Sequence, residues 1–234
     1  MKKNTSGKRG KLIVLEGGDG SGKGTQMKLL IDALAASGTP LQEFDFPRYD
    51  NSLFGKLCGE ALKGLHGDFR HMSPYISSLP YILDRVSARA DLEAALSRGT
   101  VICNRYTTSN IAYQSAKLSG KEKQKFIKFM EDAEYGELGL PKPDLVIYLY
   151  VPIEMSQKLI GKKKARAYLG KKQGDRDQHE QDVSYLVRAV QTYLELVKKN
   201  KKKNWHVVDC LEKGVMLPRN VIHQKILEIV KKNI

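Results

Sequence analysis

The stretch Glu16-Gly17-Gly18-Asp19-Gly20-Ser21-Gly22-Lys23-Gly24-Thr25-Gln26 decides the fold. An apolar run, Leu12-Ile13-Val14-Leu15, precedes it, and an amphipathic one carrying Met27, Leu29, Leu30, Ile31 and Leu34 follows. A strand, a glycine-rich turn and a helix in that order build a phosphate cradle. The backbone N–H groups from Gly20 to Thr25 can converge on phosphate oxygens, because glycine tolerates left-handed dihedrals and the positive end of the helix dipole lies beneath them. Gly17, Gly18, Asp19, Gly20, Ser21, Gly22, Lys23, Gly24 and Thr25 are therefore the expected nucleotide-binding loop, with Lys23 reaching the β- and γ-phosphates. Position 24 is Gly where this motif carries Ser or Thr. No hydroxyl stands in the usual place for Mg²⁺, so the ion is expected to be held by phosphates and water, with no metal ligand from the protein.

A chain of 234 residues with 41% hydrophobic content suits one α/β domain with a full core. The reading is a basic, disordered tail over residues 1–10 and a single domain over 11–234. No run of about 18 apolar residues is present, so no membrane crossing is expected. The basic N-terminus leads into only four apolar residues, which argues against a secretory signal and for the cytoplasm. Cys58, Cys103 and Cys210 show no pair spacing and read as buried free thiols.

The net charge of +14 raises the question of nucleic acid. Residues 1–11 carry five basic and no acidic side chains, residues 198–203 another five, and Lys231 and Lys232 follow at the C-terminus. Lysines in the last turn of a helix favour its dipole, and no aromatic residues are interleaved to stack bases. The charge pattern alone lacks the motif expected of a nucleic-acid surface.

Strand and helix signals alternate along the chain. Strand-like runs are Lys11–Glu16, Leu41–Phe46, Thr100–Asn104, Asp144–Val151 and Trp205–Asp209; helical patterns span 23–36, 52–63, 73–98, 121–134, 152–163, 183–200 and 219–232. This order predicts an α/β fold, a five-stranded parallel sheet with helices on both faces. Ligands gather at the carboxyl ends of such strands, where Asp19, Phe46-Pro47-Arg48 and Asn104-Arg105-Tyr106 fall. The stretch 161–182 holds seven basic residues against four acidic ones with two glycines inside it, the composition of a basic lid.

The set Glu16-Gly17-x-Asp19-Gly20-Ser21-Gly22-Lys23, Phe46-Pro47-Arg48-Tyr49, Asp84-Arg85, Asn104-Arg105-Tyr106-x-x-Ser109-x-x-Ala112-Tyr113-Gln114 and Leu140-Pro141-Lys142-Pro143-Asp144 resembles the thymidylate kinase family. These P-loop nucleoside monophosphate kinases phosphorylate dTMP to dTDP with ATP, a step of dTTP synthesis. The phosphate loop alone is shared widely, whereas the five motifs in order are specific. The resemblance implies a P-loop kinase fold, ATP and Mg²⁺ as cofactors, dTMP as substrate and commonly a homodimer. It also implies roles. Lys23 serves the donor phosphates, Arg105 stands between donor and acceptor, Arg48 holds the acceptor phosphate, and Asp19 accepts from the sugar 3′-hydroxyl. Phe46, Arg85, Asn110, Tyr113 and Gln114 line the base pocket. Arg85 alternatively reads as a solvated helix residue, and Tyr113 as a packing tyrosine. Because Gly20 and Ser21 leave no arginine inside the loop, the resemblance assigns a second catalytic arginine to the lid, Arg166 or Arg176.

Two positions depart from the family. Gly24 is more typical of adenylate and UMP/CMP kinases. Asn104 stands where the family usually has Asp; it keeps the shape and loses the charge that helps organise Mg²⁺, so Asn104→Asp is expected to restore it. Two alternatives stay open: a kinase for another nucleoside monophosphate such as dUMP, UMP or CMP, and a basic nucleic-acid-binding P-loop ATPase, which requires a stacking platform.

Overall fold

The computed structural model describes residues 9–160 and 182–233. Most of the expected tail, most of the expected lid and, with it, Arg166 and Arg176 lie outside the described residues.

Five parallel strands form the central sheet in the order β2-β3-β1-β4-β5. They are β1 (Leu12–Gly17), β2 (Leu41–Asp45), β3 (Thr100–Asn104), β4 (Leu145–Tyr150) and β5 (Trp205–Asp209). Continuous apolar runs such as Leu12-Ile13-Val14-Leu15 form the middle of the sheet because both faces are covered. On one face Ile13 and Leu15 meet α1 (Lys23–Ala36) and α10 (Arg219–Asn233) through Leu30, Leu34, Ile222 and Ile226. On the other, Leu12 and Val14 pack with Leu92 and Leu96 of α5 (Arg89–Arg98), and Tyr148 stacks on Tyr193 of α9 (Val183–Asn200) at 4.6 Å.

β3 and β5 have the expected bounds, and the others differ by a residue or two at their ends. The helical pattern at 73–98 is three helices instead of one: α3 (Pro74–Ser77), α4 (Leu79–Ser87) and α5. Pro80 has no N–H to give the Ile76 carbonyl, so the ladder breaks there. The chain turns again at Ala88, whose N–H bonds Arg85 in the tighter three-residue spacing.

Helix α2 (Leu53–Leu62) falls where expected, capped by the Ser52 hydroxyl, which accepts from the Gly55 N–H. Helix α6 (Thr107–Ser115) has no counterpart in the sequence reading. Eight of its nine residues are buried and most are polar, so no apolar stripe marks it. Helix α7 (Gly120–Glu131) continues into a π-helix over Asp132–Glu137, a wider coil than the pattern at 121–134 implied. Helix α8 (Ile153–Ile160) follows β4, and a short hairpin, β6 (Leu211–Glu212) with β7 (Val215–Met216), follows β5. No helix among the described residues is long and apolar enough to cross a membrane.

Candidate active site

At the carboxyl end of the sheet a cavity of about 330 Å³ opens between the phosphate loop, the ends of β2 and β3, and helices α4 and α6. Gly20 and Gly22 take φ of 81° and 86°, left-handed values that a side chain would oppose; Gly22 is also the residue from which α1 starts. Lys23 is 8% exposed, and its ammonium donates to the Gly17 and Gly18 carbonyls at 2.9 and 2.8 Å. A lysine folded onto its own loop beside amides at a helix N-terminus is a site for an anion.

Beneath the loop, Glu16 is fully buried at the junction of three elements. Its carboxylate accepts from the Tyr106 and Ser109 N–H groups at 3.0 and 3.2 Å, from the Ser109 hydroxyl at 2.6 Å and from the Tyr193 hydroxyl at 3.1 Å. Burial pushes its pKa up, while those hydroxyls and Arg105 hold the rise back. This carboxylate fastens α6 and α9 to the end of β1. Sequence reasoning quoted Glu16 in the motif and gave it no task.

Arg105 directly follows β3 with φ 63°, a left-handed conformation that costs a non-glycine residue of order 1 kcal/mol. That turn carries its guanidinium over the loop. There Nη2 donates to Asp19 at 2.9 Å, Nη1 donates to the Ser109 hydroxyl at 3.1 Å, and the group lies 5.4 Å from the Tyr113 ring centre. Burial works against the charged form, yet Asp19 and its neighbours raise the Arg105 pKa well above its ordinary value. Tyr113 donates its hydroxyl to Asp19 at 3.4 Å.

The far end of the cavity is built from polar groups that apolar packing holds in place. Phe46 stacks near Phe44 and tilts against Tyr106, with ring centres 6.2 and 5.8 Å away. Arg85 is 3% exposed, not solvated: Nε and Nη2 each bond a Glu134 oxygen at 2.6 Å, and Thr107 donates to the same carboxylate at 2.7 Å. The third nitrogen, Nη1, makes no hydrogen bond to the described residues. Asn110 donates Nδ2 to the Ser78 carbonyl at 3.2 Å, and its Oδ1 is buried without a partner. The Gln114 Oε1 accepts from the Ser77 hydroxyl at 2.6 Å, and its Nε2 donates to the Ser77 carbonyl in a longer bond of 3.5 Å.

Of the expected residues, Asp19, Gly20, Gly22, Lys23, Gly24, Phe46, Arg85, Arg105, Asn110, Tyr113 and Gln114 line this cavity. Gly17, Gly18, Ser21, Thr25 and Arg48 do not line it. Arg48 is engaged elsewhere: its Nε donates to Asp84 at 3.0 Å and its Nη2 to the Asp84 carbonyl and the Ser87 hydroxyl. Its pull is toward the α4 carboxylate, which is buried and needs a counter-charge. Missed by sequence reasoning were Glu134, Ser77, Tyr81 and Asp45. Asp45 was legible as an acidic residue ending a strand beside the loop. Burial raises its pKa, opposed by Arg105, the Asn104 amide and Lys23.

A donor (Arg85) on the same wall as a lone acceptor (Asn110) at one end, and an anion cradle with Arg105 over it at the other, can hold a polar heterocycle carrying a phosphate. Comparison with known proteins gives the family. The family model for thymidylate kinase matches residues 15–219. Thymidylate kinase of Mycobacterium tuberculosis is 35% identical over 203 residues, spanning 84% of this chain and 90% of that protein. The probable thymidylate kinase of Methanocaldococcus jannaschii is 31% identical across 94% of this chain and 95% of its own length. The solved thymidylate kinase of Candida albicans superimposes with a TM-score of 0.71 at 26% identity, covering 96% of this chain and 92% of that one. With the match running through the phosphate loop, the strand ends and the cavity wall, this chain belongs to the thymidylate kinase family.

Proposed function

We propose that the chain transfers the γ-phosphate of ATP to dTMP, giving dTDP for dTTP synthesis in the cytoplasm. The observation that carries the base choice is the unpartnered Asn110 Oδ1 on the same cavity wall as Arg85, whose Nη1 is not used by Glu134. Thymine presents an N3–H donor next to a 4-carbonyl acceptor, the complement of that edge. Cytosine presents an acceptor at N3 and an amino donor at C4, which opposes it at both positions. Buried polar groups left unpaired cost about 1–3 kcal/mol each, so the edge favours 4-oxo pyrimidines. Uracil shares it, and dUMP is the second reading for that reason.

Phosphoryl transfer needs positioning and charge neutralisation more than covalent chemistry. Lys23 exchanges its carbonyl partners for donor phosphate oxygens, and Arg105 exchanges Asp19 for the phosphate between donor and acceptor. Asp19, released, accepts from the sugar 3′-hydroxyl. Mg²⁺, when bound, would supply charge neutralisation at the donor phosphates held by the loop and Lys23. The reading includes a homodimer, for which Leu53, Leu79 and Leu83 offer exposed apolar side chains on α2 and α4, two helices packed together. Three free cysteines, all buried, suit a reducing compartment.

The test is ADP release with ATP and Mg²⁺ against dTMP, dUMP, dCMP, UMP, CMP and AMP. The dTMP rate should exceed that with dCMP or AMP by at least about tenfold, and Lys23→Ala should lower kcat by about a hundredfold or more with the melting temperature unchanged. Equal rates with AMP refute the base reading, and an active Lys23→Ala variant refutes the cradle.

A further inference from the structure

β2 and β3 end side by side, and their last residues, Asp45 and Asn104, are direct register partners. Asn104 donates Nδ2 to the Asp45 Oδ1 at 2.9 Å. Both residues line the cavity, together with Lys23, Arg105 and the loop glycines Gly22 and Gly24. The second Asp45 oxygen, Oδ2, accepts no hydrogen bond from the described residues. Asn104 Oδ1 is buried and unpartnered, so the amide orientation is set by Asp45 alone. The strand ends therefore still present one negative charge to the phosphate loop. It sits on β2, where the family resemblance places it on β3, and an amide occupies the β3 position to hold it.

From this juxtaposition we infer that Asp45 is the carboxylate that faces the hydrated Mg²⁺ of the bound nucleotide, with Asn104 as its positioning residue. The inference rests on the kinase reading. It is separate from the phosphate loop, since neither residue belongs to it. Asp45 is exposed at its strand end, yet it takes a donor from the neighbouring strand and shares the cavity wall with Lys23. A carboxylate fixed by a hydrogen bond on one oxygen leaves the other for water bound to a cation. The exchange also reverses the expectation for Asn104→Asp. A second carboxylate placed within hydrogen-bonding distance of Asp45 removes the donor and sets two like charges together, so one must take up a proton. The net gain of charge is small and the geometry is lost.

The experiment is Mn²⁺ binding followed by electron paramagnetic resonance in the complex with ADP and dTMP, which lacks a transferable phosphate and does not turn over. Asp45→Asn keeps the acceptor for Asn104 and removes only the charge; Mn²⁺ affinity should fall roughly tenfold to a hundredfold. Asn104→Asp alone should bind Mn²⁺ no more tightly than wild type. The double variant Asp45→Asn/Asn104→Asp, with the charge moved back across the ladder, should return to within about threefold of wild type on the same scale. An Asp45→Asn titration that overlays wild type, a tightened Asn104→Asp, or a double variant as weak as Asp45→Asn overturns the assignment. If Asp45→Asn does not fold, the Asn104→Asp arm decides, since tightening overturns and its absence agrees. A wild-type chain that does not phosphorylate dTMP breaks the kinase reading instead, whatever Mn²⁺ does.

Discussion

Two arginine–carboxylate pairs bound the cavity at opposite ends, and they are built to behave differently. At the phosphate end, Arg105 meets Asp19 through one contact of 2.9 Å, with side chains 15% and 23% exposed. At the base end, Arg85 grips Glu134 through two contacts of 2.6 Å, with exposures of 3% and 0%. The first pair is wet enough to exchange partners: an incoming phosphate is a better acceptor for the guanidinium than a single carboxylate oxygen. The second cannot open, because either charge left alone in a dry site is costly. Burial opposes the Arg85 charge, and Glu134 more than offsets it, leaving the pKa raised. On the proposed function, the first pair would give way to substrate phosphate and the second would be the fixed mount that holds Arg85 at the base.

The sharpest way to break this contrast is to remove the carboxylate from each. Glu134→Ala should destabilise the fold by about 3–5 kcal/mol, since it strands a buried guanidinium. Asp19→Ala should cost under about 1 kcal/mol, the range of exchangeable, solvent-touched pairs. Chemical denaturation of the two variants measures both, and equal losses abolish the distinction.

The two ends were also unequally legible. The phosphate end is local: glycines, an apolar run and a following amphipathic helix announce the cradle within a dozen residues of sequence, and Arg105 is marked by its place just past β3. The base end is assembled from afar. Glu134 lies 49 residues from Arg85, on a π-helical turn that reads as the acidic end of an ordinary amphipathic helix. Helix α6 supplies Thr107, Asn110 and Gln114, and its polar faces hide it from any search for an apolar period. Arg48 shows the converse: its motif drew it toward a phosphate, and only the buried Asp84 explains where its side chain goes.

A smaller effect sharpens the account of the base end. Asn110→Leu deletes the lone acceptor while leaving the Arg85 mount intact. The preference for dTMP over dCMP, read as a ratio of kcat/KM, should drop by about tenfold, or roughly 1.4 kcal/mol. An unchanged ratio means that Asn110 does not read N3.

The smallest effect comes from one step behind the cavity wall. Ser77 is fully buried and sits in a relay: Lys117 donates to its hydroxyl at 2.8 Å, and the hydroxyl donates to Gln114 Oε1 at 2.6 Å. Lys117 itself is anchored on the Phe69 carbonyl at 2.8 Å and is partly desolvated, with its pKa lowered to about 8 by burial. A cation bonded to the serine oxygen makes its O–H a stronger donor, so the Gln114 oxygen is fixed on Ser77 and Nε2 keeps only a long bond of 3.5 Å to the Ser77 carbonyl. Ser77→Ala removes that bias without touching the cavity. Only the long bond from Nε2 to the residue-77 carbonyl then holds the amide, which can turn over and in its flipped form suits a 4-amino group. The dTMP-to-dCMP ratio should fall by about fivefold, near 1 kcal/mol for one net hydrogen bond, while kcat for dTMP stays within about twofold. That split separates orientation from catalysis, because a general loosening of α6 would also displace Arg105 through Ser109 and lower kcat for every substrate alike.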